Sequence, residues 1–243
     1  MDLNLPKLIA HRGASRLAPE NTLASLIIAH QLGARWVEFD LMLTADDVPI
    51  IFHDRTLDRT TNGKGKISKQ SYNKLLALDA GSWFDTKFKG EKIPTLAEYL
   101  QTAAKLQMGL NIELKAMAGK EIQLAKVLLE LLQQYWSPEL PPPLISSFSF
   151  SNLLAVKALQ SKYPLALIVK DWRVEHVEIA KSLNCYSIHV NQLKVTKAAV
   201  DFNTKAGLKT LAYTVNALIR AQELFAMGVR AIFSDVPDLL GLV

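Results

Sequence analysis

Short apolar runs of strand-like character recur along the whole chain, and most are separated by segments with apolar residues at helical spacing. The strand-like runs are 8–11, 36–41, 110–114, 144–147, 165–169, 185–190, 210–215 and 231–234. The helical segments are 22–32, 121–135, 152–159, 174–183, 196–206 and 218–227. Strand and helix alternating in this way build parallel βαβ units. Eight such strands in 243 residues predict one closed (β/α)8 barrel over 1–243. A doubly wound open sheet is disfavoured, because no GxGxxG opens the first helix and ionisable residues end several different strands. Gly33, Gly109, Gly207 and Gly228 fall between a helix and the next strand and read as helix C-caps.

The rhythm breaks once. After a short extra strand at 49–52, the segment 54–92 shows neither a clean strand nor a full helix, only a turn-rich stretch (Thr60-Thr61-Asn62-Gly63-Lys64-Gly65) and a helical patch at 72–78. It reads as a small insertion after the second strand, lying over the C-terminal mouth of the barrel. Trp83 and Phe84 within it serve as a lid or as plain packing.

Composition narrows the partners. Apolar residues make up 49% of the chain, enough for a core and too many for disorder. A net charge of +5 without clustered Lys/Arg and aromatics argues against nucleic acid and for a small anionic ligand. Cys185 is the only cysteine and reads as core filler. The first residues lack signal-peptide character, and no apolar run approaches the ~18 residues that span a bilayer. The expectation is a cytoplasmic protein without stable membrane insertion. The oligomeric state stays open.

Ionisable residues sit where strands end. His11 and Arg12 follow Leu8-Ile9-Ala10, and His53 and Asp54 follow Ile50-Ile51-Phe52. Side chains two apart on a strand share a face, so Glu38 and Asp40 point one way, as do Asn111, Glu113 and Lys115. On neighbouring strands Glu38, Asp40 and Glu113 meet. Charges buried like this are costly unless they are paired or hold a metal. Three oxygen donors suit one hard divalent cation, Mg²⁺ or Ca²⁺, and suit Zn²⁺ poorly. His11 and His53 are the candidate proton carriers. Arg12 and Lys115 are the candidate phosphate contacts.

The ordered set His11-Arg12-Gly13, Pro19-Glu20-Asn21-Thr22, Glu38-Phe39-Asp40, His53-Asp54, Ile112-Glu113-Leu114-Lys115, Tyr213-Thr214-Val215-Asn216 and Ser234-Asp235 resembles the glycerophosphodiester phosphodiesterase family, closest to its cytoplasmic bacterial enzymes. Asp58-Arg59-Thr60-Thr61-Asn62-Gly63 and Leu78-Asp79-Ala80-Gly81-Ser82-Trp83-Phe84 extend the resemblance through the insertion. It implies a TIM barrel with an inserted subdomain and a divalent metal held by Glu38, Asp40 and Glu113. It implies an acid/base pair in His11 and His53, phosphate contacts from Arg12 and Lys115, and hydrolysis of glycerophosphodiesters to glycerol 3-phosphate and an alcohol. The preferred alcohol is not legible. Ser234 and Ala116 depart from the common Thr and Pro, away from the proposed chemistry.

Other residues have weaker readings. Glu20 supports Arg12 or simply charges a helix N-terminus. Asn21 reads as a helix N-cap. Asn216 and His189, near strand ends, are candidate substrate contacts. Phe148 and Trp172 read as core aromatics or pocket walls. Asp235 reads as a cap for a last short helix.

Overall fold

The computed structural model describes residues 3–238. Its elements, in chain order, are β1 (Leu8–His11), α1 (Leu23–Gln31), β2 (Trp36–Leu43), β3 (Pro49–Ile51), α2 (Tyr72–Leu75), α3 (Leu96–Lys105), β4 (Gly109–Leu114), α4 (Glu121–Tyr135), β5 (Leu144–Ser147), α5 (Phe150–Ala158), β6 (Leu165–Val169), α6 (Val174–Ser182), β7 (Ser187–Asn191), α7 (Lys197–Lys205), β8 (Lys209–Tyr213), α8 (Leu218–Ala226) and β9 (Ala231–Ser234). All strands except β3 are parallel, and β1 pairs with both β9 and β2, so the sheet closes into a TIM barrel. β3 is antiparallel to the end of β2.

The period of two divides the core into two layers. Outward-facing Val37, Phe39 and Leu41 of β2 pack beneath the helices with Leu26, Tyr99 and Leu100. The Phe39 and Tyr99 rings lie 4.5 Å apart, a pairing that adds ~0.5–1.5 kcal/mol beyond burial. It anchors α3 behind the strand that carries two of the carboxylates. Inward-facing Ile9, Trp36, Leu144, Ala166, Leu211 and Phe233 fill the barrel floor with Leu3 and Leu5.

Helix α3 is absent from the sequence reading, although Thr95 and Glu98 form a complete capping box at its start. Cys185 precedes β7 rather than lying in it. Gly33, Gly207 and Gly228 take the positive φ of a C-cap, but Gly109 does not. Gly109 opens β4 against the Trp36 ring, and a Cβ there would lie 2.2 Å from that ring. The helix before it ends through Gln107, at φ 52.

The insertion contributes Leu57, Ile67, Leu75 and Ala80 to a small core with Ile50, Phe52 and Ile93, which flank it, and with Met42 of β2. Its two motifs bind each other: the Asn62 amide N–H donates to the Asp79 carbonyl, and the Asp79 N–H donates to Asn62 Oδ1. The Asp79 carboxylate then accepts from the backbone N–H groups of Gly81, Ser82 and Gly90. Gly81 is required there, because a Cβ would fall 1.9 Å from the Phe88 carbonyl oxygen. Trp83 donates to the Ala80 carbonyl and packs edge-on against Phe84, as structural packing.

Two stability predictions follow from the barrel interior. Gly109→Ala should overpack the floor and cost at least ~1–3 kcal/mol in urea unfolding; an unchanged midpoint would show that Trp36 moves aside freely. The second concerns His189 of β7, which is 1% exposed, 3.0 Å from the Ser187 hydroxyl and packed at a tilt against the Phe233 ring. Burial pushes its pKa down from 6.5 to about 3. The unfolded chain takes up this proton near 6.5 and the folded chain only near 3, so the unfolded state binds more protons in between. The stabilising contribution is complete above 6.5 and is lost as pH falls from there toward 3. Between pH 6 and 5 it should cost up to ~1.4 kcal/mol per pH unit, and His189→Gln should flatten that slope. Equal slopes in the two proteins would overturn the assignment.

Candidate active site

The register of three strands assembles the site. His11 lies opposite Glu38 between β1 and β2, and Asp40 lies opposite Glu113 between β2 and β4. Glu38, Asp40 and Glu113 therefore converge, with one carboxylate oxygen from each within 4.8 Å of the others. Glu38 Oε1 is buried without a hydrogen-bond partner. Three carboxylates with an unclaimed oxygen fit a hard divalent cation.

Arg12 occupies a tight left-handed turn, at φ 56, followed by Gly13 at φ 80. A Cβ on Gly13 would lie 2.4 Å from Ser25 Oγ, so glycine is required. The turn aims the Arg12 backbone N–H at Glu38 Oε2, at 2.9 Å. It also sets the guanidinium between Glu20 Oε1, at 2.8 Å, and Asp40 Oδ2, at 3.2 Å. Lys115 Nζ donates to Glu113 Oε1 at 2.7 Å and to Asp40 Oδ1 at 3.2 Å. Asn21 is not the helix cap, a role Thr22 fills. Its side-chain amide instead donates to Asp40 Oδ2 at 2.7 Å and accepts from the Asp40 N–H.

These contacts divide the carboxylates electrostatically. Burial, then Asp40 and Glu113, push the Glu38 carboxyl well above the ordinary range. Glu113 moves the same way through burial and Asp40. Burial opposes ionisation of Asp40 too, yet Lys115 and Arg12 outweigh it and hold its carboxyl well below the usual value. Burial disfavours charge on Lys115 and Arg12, but the surrounding carboxylates outweigh it and keep both protonated.

Each histidine is held by an aspartate. His11 Nδ1 lies 2.7 Å from Asp235 Oδ1, and His53 Nδ1 lies 2.6 Å from Asp54 Oδ1. His11 Nε2 then turns toward Glu38, 3.9 Å from Oε2. Burial lowers the pKa of His53 below its ordinary value, with Asp40 pulling the other way. Asp54 is held at about 2, first by hydrogen bonds from Arg59. Asp235 also sits at about 2, because its bond to His11 overcomes burial. Both aspartates are therefore anions at neutral pH and accept the Nδ1 proton, leaving Nε2 free to take or give one.

Several expectations change in this setting. Asp235 orients His11, with Ser15 Oγ 2.9 Å from the same oxygen; the short helix expected to take it as a cap lies partly outside the described residues. Asn216 donates to Asp235 Oδ2 at 2.7 Å and accepts from the Asp235 N–H, so its amide stands behind Asp235. His189 lines a void of about 30 Å³ below His11 and Glu38, too small for a phosphodiester. Phe148 walls a cleft of about 450 Å³ that also meets His53, Glu113 and Lys115. Trp172 is bonded to Asn203 and packs on α7 instead. Glu20 does support Arg12.

Comparison with known proteins converges on one family. Residues 11–239 match the model of the Glycerophosphoryl diester phosphodiesterase family. A glycerophosphodiester phosphodiesterase of Caldanaerobacter subterraneus subsp. tengcongensis is 33% identical, covering 96% of this chain and 95% of that protein. A phosphodiesterase of Oleispira antarctica, solved in complex with the product sn-glycerol-3-phosphate, superposes with a TM-score of 0.95 at 41% identity, over 98% of this chain and 96% of that one. The glycerophosphodiester phosphodiesterase of Agrobacterium tumefaciens superposes with a TM-score of 0.82 at 28% identity, over 98% and 100%. With fold, site and relatives in agreement, the chain belongs to the glycerophosphodiester phosphodiesterase family of hydrolases.

Proposed function

We propose that this chain hydrolyses glycerophosphodiesters to sn-glycerol 3-phosphate and an alcohol, with one divalent cation, Mg²⁺ or Ca²⁺, as cofactor. The observation that carries this reading is the buried Glu38, Asp40 and Glu113 cluster flanked by two aspartate-held histidines. The product bound in the Oleispira antarctica relative gives the cleft a matching ligand. Such an enzyme belongs to phospholipid-headgroup and glycerol metabolism. Placement in the cytoplasm rests on the lone cysteine and the lack of a long apolar run; among the described residues, no helix is long and apolar enough to cross a membrane.

Glu38, Asp40 and Glu113 would hold the cation. When bound, it would neutralise charge building on the phosphate and lower the pKa of a hydroxyl next to it. Arg12 and Lys115 bind and orient the phosphate oxygens from two sides. His189 closes the floor and Asn216 secures Asp235. One histidine takes a proton at Nε2 from the attacking hydroxyl, and the other gives its Nε2 proton to the departing alcohol oxygen. The nucleophile is the glycerol 2-hydroxyl, because attack within one molecule gains up to ~7–11 kcal/mol in favourable cases. Its attack on phosphorus expels the alcohol and forms a cyclic phosphate; water then attacks that phosphorus, and the bond to the 2-oxygen breaks as that oxygen takes back a proton, giving glycerol 3-phosphate.

A second reading is action on lipids that still carry an acyl chain. Phe148, Val174, Leu193 and Ile219, in the loops and helix starts that follow the strands, are exposed. A coupled glycerol 3-phosphate assay over headgroups and lysolipids separates the two readings: turnover confined to lysolipids would replace the first.

Metal removal tests the cofactor. Exhaustive chelation should abolish turnover, and Mg²⁺ or Ca²⁺ should restore it. Glu38→Gln should lose the cation-dependent rise in Tm while its far-UV spectrum stays native. Full turnover after chelation would rule the cation out. The nucleophile is tested with an analogue carrying hydrogen in place of the 2-hydroxyl. It should bind and remain inert, whereas normal turnover would make water the direct attacker. His11→Ala and His53→Ala should each lose at least ~10²-fold in kcat, and retained activity in either would remove that residue from proton transfer.

A further inference from the structure

Arg59 stands in the insertion, outside the strands that build the site, yet its guanidinium is hydrogen-bonded to two carboxylates of the site. Nε donates to Asp54 Oδ2 at 2.7 Å and Nη2 to Asp54 Oδ1 at 3.0 Å. Nη1 donates to Glu20 Oε2 at 2.7 Å and Nη2 to Glu20 Oε1 at 2.8 Å. A planar fork that grips two carboxylates fixes both distance and angle between them, which a lysine ammonium cannot do. Each carboxylate holds a proposed working group with the same oxygen. Asp54 Oδ1 meets His53 Nδ1, and Glu20 Oε1 accepts from Arg12 Nη1.

We propose that Arg59 is a positioning residue that sets His53 and Arg12 in register across the substrate phosphate, by bridging Asp54 and Glu20. The proposal rests on the phosphodiesterase reading above, and it gives the insertion a part in turnover that its own core does not require. The peptide around Arg59 is prepared for this task. Thr60 and Thr61 on its C-terminal side are buried, and Thr61 Oγ1 donates to the Leu57 carbonyl at 2.7 Å. The Gly63 N–H donates to Thr61 Oγ1 at 2.9 Å and closes the loop on the same hydroxyl. The loop is thus anchored while the Arg59 side chain, 45% exposed, reaches out to the barrel. At that exposure the ion pairs add little to stability. Their consequence is geometric, and small misplacement of reacting groups is expensive: about 1 Å costs up to ~100-fold.

The test compares wild type with Arg59→Ala and Arg59→Lys in the glycerol 3-phosphate assay. Arg59→Ala should keep a native Tm and far-UV spectrum. It should lose ~10–100-fold in kcat/KM, with the loss in kcat as well as in KM because a histidine and a phosphate ligand are both displaced. Arg59→Lys should recover only a small part. Millimolar guanidinium should restore Arg59→Ala markedly, and sodium chloride at the same concentration should not. In an Asp54→Asn background, Arg59→Ala should cost much less than in wild type, because the route through Asp54 is already cut. Wild-type kcat/KM in Arg59→Ala would overturn the proposal, as would costs that add fully across the double mutant or a loss accounted for by unfolding. A wild type that releases no glycerol 3-phosphate from any glycerophosphodiester would overturn the functional reading instead.

Discussion

Closing a sheet into a barrel buries every side chain that points inward, and here three of those side chains are carboxylates. Glu38 and Asp40 are 3% and 1% exposed. Buried charges survive only with partners, and the surroundings of the mouth supply them one by one. The Arg12 turn gives a backbone N–H to Glu38 and a guanidinium to Asp40. Lys115, one residue past β4, reaches back to Asp40 and Glu113. Asn21 takes a left-handed conformation, at φ 59, and places its amide on Asp40. The local geometry of the first loop, the placement of the cations and the requirement for glycine at position 13 all answer the same demand.

The histidines repeat this logic at the two sides of the cluster. Each receives an anion at Nδ1 and presents Nε2, and each anion is itself held. Asp235 is secured by Asn216 and Ser15, and Asp54 by Arg59. Their settings are not equal. His11 ends a barrel strand and adjoins the smaller recess, whereas His53 stands at the start of the insertion beside the larger cleft. One histidine is therefore fixed by the barrel and the other by the excursion that interrupts it. The insertion reaches the site through Asp54, which meets His53, and through Arg59, which is bonded to Asp54 and Glu20.

How much of this was legible in the sequence depends on the distance over which each partner is chosen. The alternation in Trp36-Val37-Glu38-Phe39-Asp40-Leu41 is local, so the shared face of the two carboxylates could be read directly. The meeting with Glu113 needed only the adjacency of consecutive barrel strands. Asp235 could not be assigned that way. Its partner lies 224 positions away, across the seam where β9 pairs with β1, and only closure brings them together. Asn21 was misread because Asn before a helix is an ordinary cap signal, while the next residue, Thr22, fills that role in the fold. Gly109 was misread for a similar reason: a glycine after a helix suggests a C-cap, and the demand for a missing Cβ came instead from Trp36 on the neighbouring strand. Helix α3 differs again, since its Thr95 and Glu98 capping box is a local signal that the sequence itself carries.

The electrostatics of the cluster connect its fold to its ligand. Glu38, Asp40 and Glu113 outnumber Arg12 and Lys115, and Arg12 is shared with Glu20. The excess negative charge falls on Glu38, whose carboxyl is pushed toward its neutral form by burial and by the other two carboxylates. A proton is one way to relieve that excess. A divalent cation is the other, and it relieves the repulsion by taking the proton's place among the oxygens. The two outcomes differ in sign toward a phosphodiester. With a proton, the five central side chains remain close to neutral and offer an anion little. With a dication the same five side chains and the ion together carry net positive charge, which attracts an anion. The arrangement that makes these carboxylates costly to bury is therefore also the one that would make cation and anion binding mutually dependent. Binding of either should strengthen the other by the same factor.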